Sequence, residues 1–532
     1  MGIYVNPTNE YFKRTINDYI YVDKTGIIRH LNSLINKRNR YICISRPRRF
    51  GKTMVAEMLA AYYSKGSKSE KLFKKLGIYK SKSFQKHLNN YDVVHINIQN
   101  FLSKNKNIDN LIYDIQIKIK NELLKIYNIK NNELSKNNNI DEIFDYIYNE
   151  DENCNGFIFI IDEWDAIFRD EKIDKEKDQK KYLDFLRLVL KDKIYVKLAY
   201  MTGILPIKKY GSHSALNMFE ENSMVDIDGY GEYFGFTSSE VKKISQKVKF
   251  DIKELKKWYD GYIINNGKTI YNPKSIVEAI NKNRIGSYWT RTETFESLKL
   301  YVDLDFKGLK TAIIDLLMDK KVEINTNSFQ NDMKTFNNRD DVLTLLVHLG
   351  YLTYDSVDKT VSIPNYEVRQ EFEVAIKNDD RKELVQAIRL SDKLLDATIN
   401  MDEKTVSNII DKIHIDYTDI KHYNTEESLS NVIKLAYYTA RDKYTVFYEL
   451  ETGKGYADMV FLPKKATKAT PAFVVELKYG KSVEVALKQL VDKKYMSKLN
   501  LYKDNMLLVG ISYDKGSKCH SCKIEKYIGG EL

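Results

Sequence analysis

The sequence predicts an α/β chain: a parallel sheet flanked by helices at the front, a mainly helical middle, and a second, smaller α/β unit at the back. Three observations lead there. Apolar runs at 41–44, 93–98, 157–161 and 195–200 alternate with helix-patterned stretches, and strands separated by helices pair in parallel. Between the first run and its helix lies Ser45-Arg46-Pro47-Arg48-Arg49-Phe50-Gly51-Lys52-Thr53, which has the makings of a phosphate-binding loop. Near the end, one run carries Asp458 and the next carries Glu476-Leu477-Lys478.

The elements follow in order. Tyr41-Ile42-Cys43-Ile44 is short and apolar, a buried strand. Residues 51–63 have helical spacing, with Met54, Met58, Leu59 and Tyr62 on one face. Residues 93–98 read as a second strand. The Lys/Asn-rich stretch 104–139 reads as surface helices around a core at 112–126. Phe157-Ile158-Phe159-Ile160-Ile161 is continuous enough to be buried on both faces, and 195–200 is a fourth strand. Thr237-Ser238-Ser239-Glu240 is a capping box opening a helical segment that contains Trp258-Tyr259-Asp260-Gly261-Tyr262. Residues 285–415 continue mostly helical, with a strand pair near 351–354 and 360–363. Strand patterns return from Tyr444 onward.

Composition bounds the function. At 532 residues, two to four domains are expected, and a hydrophobic content of 43% supports packed cores. The net charge is +11, and residues 421–532 hold 19 Lys/Arg against 13 Asp/Glu, so over half the excess sits in the last fifth. A basic excess favours polyanionic partners. Four cysteines make no disulfide framework, and the lone Cys519-His520-Ser521-Cys522 spacing lacks the second pair of a structural zinc site. The N-terminus is polar and the apolar runs are too short to span a bilayer, so the chain reads as soluble, intracellular and cytoplasmic, with no membrane partner.

A phosphate loop needs backbone amides around the anion, a lysine for the outer phosphates and a hydroxyl for magnesium. Gly51, Lys52 and Thr53 supply the permissive turn, the lysine and the hydroxyl. The generic pattern has glycine where Arg46 stands, and Pro47 stiffens the loop; a basic turn before a helix is the plain alternative. The third strand ends in Asp162-Glu163. Asp162 suits a magnesium held through water, and Glu163 suits polarisation of an attacking water. Thr202, closing the next strand, suits either a γ-phosphate contact or an ordinary Thr-Gly loop start. Arg46, Arg48 and Arg49 are expected to touch phosphates, a neighbouring subunit of a homo-oligomer, or solvent alone.

At the back, Glu476 and Lys478 share one strand face because side chains alternate. Asp458 and Glu476 suit Mg2+, with the Leu477 carbonyl as a third ligand. Lys478 suits orienting a water or neutralising a phosphorane-like charge. Two facing carboxylates repel without a cation, which argues for metal or a raised pKa. Lys464, Lys465 and Lys468 follow Asp458 in a turn that grips a phosphate backbone or is merely solvated.

Tyr21-Val22-Asp23-Lys24-Thr25, Arg46 to Thr53, Asp162-Glu163-Trp164-Asp165, Thr202 to Ile207 and Trp258 to Tyr262 together resemble the AAA-ATPase-like family often fused to a PD-(D/E)xK nuclease. In that family Arg-Pro-Arg-Arg-Phe-Gly-Lys-Ser/Thr is the usual loop, so Arg46 fits. The resemblance implies ATP and Mg2+ as cofactors, with Arg46, Pro47, Arg48, Arg49, Phe50, Gly51, Lys52, Thr53, Asp162 and Thr202 around the nucleotide and Glu163 catalytic. It implies a P-loop NTPase parallel sheet over 1–235, a helical lid over 236–285, a mainly helical linker over 286–415, and an α/β restriction-endonuclease-like domain over 416–532. In the last, Asp458, Glu476 and Lys478 are the implied catalytic set, Gln489 lies on a helix beside the site, and Glu426 (or Glu427) completes the metal shell.

The leading expectation is an ATPase coupled to Mg-dependent cleavage of nucleic acid, with DNA favoured because no RNA-binding module is visible. A nuclease acting on RNA is one alternative. Another is a nucleotide-dependent switch whose nuclease-like domain binds nucleic acid or a partner without cutting.

Overall fold

The computed structural model describes residues 2–527 apart from 106, 130–138, 171–175, 208–215, 228, 265–266, 290–294, 303, 305, 378–381, 418–425, 452–455, 466–469, 493–498, 500–501 and 503–504. The chain divides into two compact units, Met1–Phe372 and Glu373–Leu532, so the 286–415 stretch contributes to both.

The first unit is built on five strands: Tyr41–Ser45 (β1), Asp92–Asn97 (β2), Phe157–Asp162 (β3), Val196–Gly203 (β4) and Glu220–Asn222 (β5). Their order is β2-β3-β4-β1-β5 and every pairing is parallel. All residues of β1, β3 and β4 are buried, as strands covered by helices on both faces require. β5 is three residues long and two of them are glutamates, so no alternation in the sequence announces it. Helix Lys52–Tyr63 (α1) follows β1 and buries Val55, Met58, Leu59 and Tyr62. Met54, expected on that inner face, is 46% exposed and borders a cleft instead.

Helices Ser238–Val248 (α2), Ile252–Tyr259 (α3) and Pro273–Asn281 (α4), with a small antiparallel sheet, occupy the segment expected to be a lid, and 'lid' below means that segment. Thr237 and Glu240 form the capping box the sequence announces: the Thr237 amide donates to Glu240 Oε2 at 2.7 Å and the Glu240 amide to Thr237 Oγ1 at 3.4 Å. Glu240 also pairs with Lys24 at 2.7 Å. Ile20 and Val22 pack on the lid core of Leu255, Tyr259, Tyr271 and Ile276, so the N-terminal Tyr21–Thr25 motif ties the lid down.

Gly261 explains the glycine of the Trp258–Tyr262 motif. Its φ is +104°, and a Cβ there would collide with the Pro364 carbonyl. Gly261→Ala is expected to destabilise the first unit by about 2–4 kcal/mol in urea unfolding. A change within about 0.5 kcal/mol would show that Pro364 yields easily.

After the lid come Leu309–Leu317 (α5), Val322–Glu323 (β6), Arg339–Leu349 (α6), Thr353–Asp355 (β7) and Thr360–Ser362 (β8). β7 and β8 are the expected strand pair, and β6 adds a third strand on the far side of β8. Residues 341–348 of α6 are all buried, which erases the one-sided period of a surface helix. Helix Tyr366–Lys377 (α7) begins in the first unit.

The second unit holds Glu403–Tyr417 (α8), Glu426–Ala436 (α9) and five strands: Tyr444–Glu451 (β9), Tyr456–Pro463 (β10), Ala472–Tyr479 (β11), Met506–Asp514 (β12) and Cys519–Tyr527 (β13). They lie in sequence order, antiparallel except for the parallel β11–β12 pair. That parallel step needs a crossover, and helix Val483–Asp492 (α10) lies within it. Leu487 and Leu490 of α10 pack with Val460, Val474 and Leu508. Phe461 and Phe473 stack at 4.1 Å, with Tyr437 and Tyr444 against them. Among the described residues no helix is long and apolar enough to cross a membrane.

Candidate functional site

Two sites emerge, one in each unit. In the first, β1 ends at Ser45 and the loop to α1 curls through two left-handed positions, Arg49 at φ 69° and Gly51 at φ 92°. Left-handed arginine is strained, and such strain collects at functional loops. The Lys52 ammonium folds into the loop and donates to the Arg46 carbonyl at 3.0 Å and the Pro47 carbonyl at 3.1 Å. Burial lowers its pKa, opposed by the charges of Glu163, Asp165 and Asp162.

Thr53 donates its hydroxyl to Asp162 Oδ2 at 2.8 Å, and Asn97 donates to the same oxygen at 2.9 Å. Burial raises the Asp162 pKa. Glu57, one turn beyond Thr53 on α1, has its carboxyl pushed up to about 7 by burial and then by the Asp162 charge. A hydroxyl and two mutually repelling carboxylates form an all-oxygen set suited to a hard divalent cation.

Glu163 also stands in a left-handed conformation, at φ 52°. Its carboxylate is ion-paired with Arg169, which also sits 3.1 Å from the fully buried Asp165. Asp165 in turn accepts the Ile204 and Leu205 amides at 3.0 and 2.8 Å, pinning the chain after β4. A cleft of about 920 Å3 opens over the loop. Lys52, Thr53 and Glu163 line its polar part; Val22, Met58 and Val277 are among its apolar lining.

Of the residues expected around a nucleotide, Arg48, Arg49, Phe50, Gly51, Lys52 and Thr53 line this cleft. Arg46 is placed otherwise. Its guanidinium is fully buried, donates to Asn222 Oδ1 at 2.5 Å and to the Asn222 carbonyl at 2.8 Å, and its pKa is lowered to about 10 by burial. It ties β5 to β1 through Asn222 and the Ser45 carbonyl, and does not line the cleft. Pro47 is buried, and Thr202 is fully buried in register with Asp162, one strand away. Asn97, Glu57 and Arg169 escape the sequence reading. The spacing of Glu57 from Thr53 and the position of Asn97 at the end of β2 are the signals that point to them.

In the second unit, the β10–β11 ladder runs through Phe461↔Phe473 and Val460↔Val474 to Met459↔Val475. One step further, Asp458 comes opposite Glu476. Asp458 Oδ2 accepts the Leu477 amide at 2.6 Å, so a side chain replaces the ladder where the strands part. By strand alternation Asp458, Glu476 and Lys478 face the side of Val460 and Val474, which is the side α10 covers. Gln489 of α10 is half-buried. Glu476 is 2% exposed, and its Oε1 accepts the Lys478 ammonium at 2.8 Å.

Among the described residues no group of three or more His, Cys, Asp or Glu gathers closely enough to hold a metal unaided. Two carboxylates and a carbonyl are nonetheless an oxygen set that suits Mg2+, which keeps several waters and substrate oxygens in its shell. Glu426 opens α9, but its side chain and that of Glu427 lie outside those described, as does Lys468. Cys519 and Cys522 are free thiols, and His520 between them turns to Asp411 at 2.7 Å and His414 at 3.2 Å.

Comparisons with known proteins agree with this division. An uncharacterized protein in the vnfD 5′ region of Azotobacter chroococcum mcd 1 is 23% identical over 539 residues, covering 94% of each chain. Among solved structures, the Aeropyrum pernix ORC2 protein in its ADPNP–ADP complexes matches 68% of this chain and 96% of its own, with 12% identity and a TM-score of 0.31, too loose a likeness to build on. Residues 8–212 match the family model described as "Predicted AAA-ATPase", and residues 425–523 match that of the PD-(D/E)XK nuclease superfamily. The chain thus joins an AAA-ATPase-like domain to a PD-(D/E)XK nuclease superfamily domain.

Proposed function

We propose that the first unit binds and hydrolyses ATP with Mg2+, and that its nucleotide state governs Mg-dependent phosphodiester cleavage of nucleic acid, DNA rather than RNA, by the second, in an intracellular protein. The convergence of Asp458, Glu476 and Lys478 where β10 and β11 part carries the nuclease half of this reading. The Thr53–Asp162 contact below Lys52 supports the other half.

Thr53 and Asp162 would hold the ion at the nucleotide, with Glu57 beside them. Asp458, Glu476 and the Leu477 carbonyl would hold it in the nuclease. When bound, the ion lowers the pKa of water and neutralises phosphate charge. The chain's own groups do the rest. Lys52 leaves the Arg46 and Pro47 carbonyls for the outer phosphates. Glu163, released from Arg169, accepts the proton of the water that attacks the terminal phosphorus, whose bond to the ADP oxygen breaks. In the second unit Lys478 offsets the charge that builds on the phosphate oxygens. Arg48 and Arg49 are exposed at the cleft, where they meet phosphates or a neighbouring copy of the chain.

The test is cleavage of linear, circular and single-stranded DNA and of RNA with magnesium. Metal-dependent cutting of DNA supports the reading. Cutting of RNA alone would transfer it to RNA. No cutting by a protein that binds ATP would favour a switch without catalysis.

A further inference from the structure

The nucleotide loop is held from outside by residues of the lid segment and of the stretch after it. The Trp289 indole donates to the Arg48 carbonyl at 3.0 Å. Gly350, at φ +89°, lies so close to Pro47 that a Cβ would stand 2.7 Å from its ring. Phe50 packs edge-on against Tyr262 at 5.0 Å, and the Tyr262 hydroxyl donates to the Gly350 carbonyl at 3.0 Å. Three residues of one loop are therefore gripped by three residues 200 or more positions away.

Trp289 is itself anchored. Its backbone amide donates to Glu367 Oε1 at 2.8 Å, the Tyr288 amide donates to the same oxygen, and the Ser275 hydroxyl of α4 donates to Glu367 Oε2 at 2.6 Å. Glu367 is 1% exposed and sits in the first turn of α7. The Trp289 ring meets Tyr351 edge-on at 5.5 Å, and Tyr351 meets Phe372 of α7 at 6.4 Å. The lid helix and the start of α7 thus meet at Glu367, which holds the backbone of the residue whose indole reaches the nucleotide loop. α7 is also the helix in which the first unit ends and the second begins in sequence.

In the arrangement seen, Lys52 ties up the carbonyls of Arg46 and Pro47, the two residues before Arg48. Drawing Lys52 onto a phosphate frees both carbonyls, and the peptide carrying the Arg48 carbonyl is the next along.

We propose that Trp289 is the sensor through which the state of the nucleotide loop reaches α7, with Glu367 as its positioning residue. The assignment rests on the reading that nucleotide governs the second unit and names the route within the first. Sensor here means an element whose preferred arrangement depends on the ligand, since a ligand shifts only what it contacts differently in two states.

The experiment is hydrogen–deuterium exchange of the full-length protein with and without Mg–ATP, read at residues 286–289 and 366–372, alongside ATP affinity. Wild type should change its exchange at both segments by at least about threefold on adding Mg–ATP. Trp289→Phe keeps the ring and deletes the N–H; it should lose most of the response at 366–372 while binding ATP within about threefold of wild type. Glu367→Ala should behave likewise, whereas Glu367→Gln, which keeps an acceptor for both amides, should retain the response. A Trp289→Phe protein that responds like wild type overturns the proposal. So does one that loses ATP binding, which would make the contact part of the site itself. Should both disruptive variants misfold, wild type alone decides: an unresponsive 366–372 segment in ATP-bound protein contradicts it. Cleavage plays no part in this readout, so a chain that responds yet cuts nothing refutes the nuclease reading and leaves the sensor standing.

Discussion

Replacing Lys52 with alanine is expected to lower ATP turnover by at least about 10²–10³-fold, the loss typical when a fixed charge aimed at a transition state is removed. The Lys52 ammonium is buried at the mouth of α1 and reaches the carbonyls of two loop residues. Its buried loop neighbour Arg46 bonds to Asn222 instead. The variant should still fold, since the contacts it loses are to backbone oxygens at the edge of a cleft. Steady-state phosphate release beside a thermal melt checks this. An unchanged melt with turnover within about threefold of wild type would remove Lys52 from the chemistry.

Asp458→Ala is the second large effect, with cleavage expected to fall at least about 10³-fold while ATP turnover stays at the wild-type level. Asp458 has two roles in the structure. It stands across from Glu476, and its Oδ2 holds the Leu477 amide where the ladder ends. Asp458→Asn keeps an oxygen for that amide and removes the charge, so it separates the roles. If cutting depends on the carboxylate, both variants are inactive. If only strand geometry matters, the asparagine variant recovers cutting. Single-turnover cleavage of a labelled DNA duplex, with circular dichroism to confirm the fold, distinguishes these outcomes.

The parts of the molecule that the sequence makes legible are those whose cause is local. β1 and β3 announce themselves because each is a buried, mainly apolar run closed by one polar residue, Ser45 or Asp162. The Thr237–Glu240 capping box is a reciprocal contact three residues apart, so its letters contain its geometry. Glu476 and Lys478 fall on one face by alternation alone, and the β10–β11 register then adds Asp458 to that face.

The parts that stay hidden depend on partners far along the chain. Arg46 looks like a phosphate ligand until Asn222, 176 residues away, takes its guanidinium. Glu57 is an ordinary helix carboxylate until β3 brings Asp162 beside it. Trp289 lies in a stretch without readable chemistry, and only folding brings its indole to Arg48, 241 residues upstream. Strand β6, two residues long, carries too little pattern to show a period.

The central claim is that nucleotide in the first unit governs cutting by the second. The most direct measurement is the magnesium-dependent cleavage rate on one DNA substrate, with and without ATP, for wild type and Lys52→Ala side by side. The account predicts that ATP changes the wild-type rate by about tenfold or more, on the order of 1.4 kcal/mol of coupling, and leaves the variant's rate unmoved. Equal rates for wild type with and without ATP, from a protein shown to bind ATP and to cut through Asp458, would contradict it.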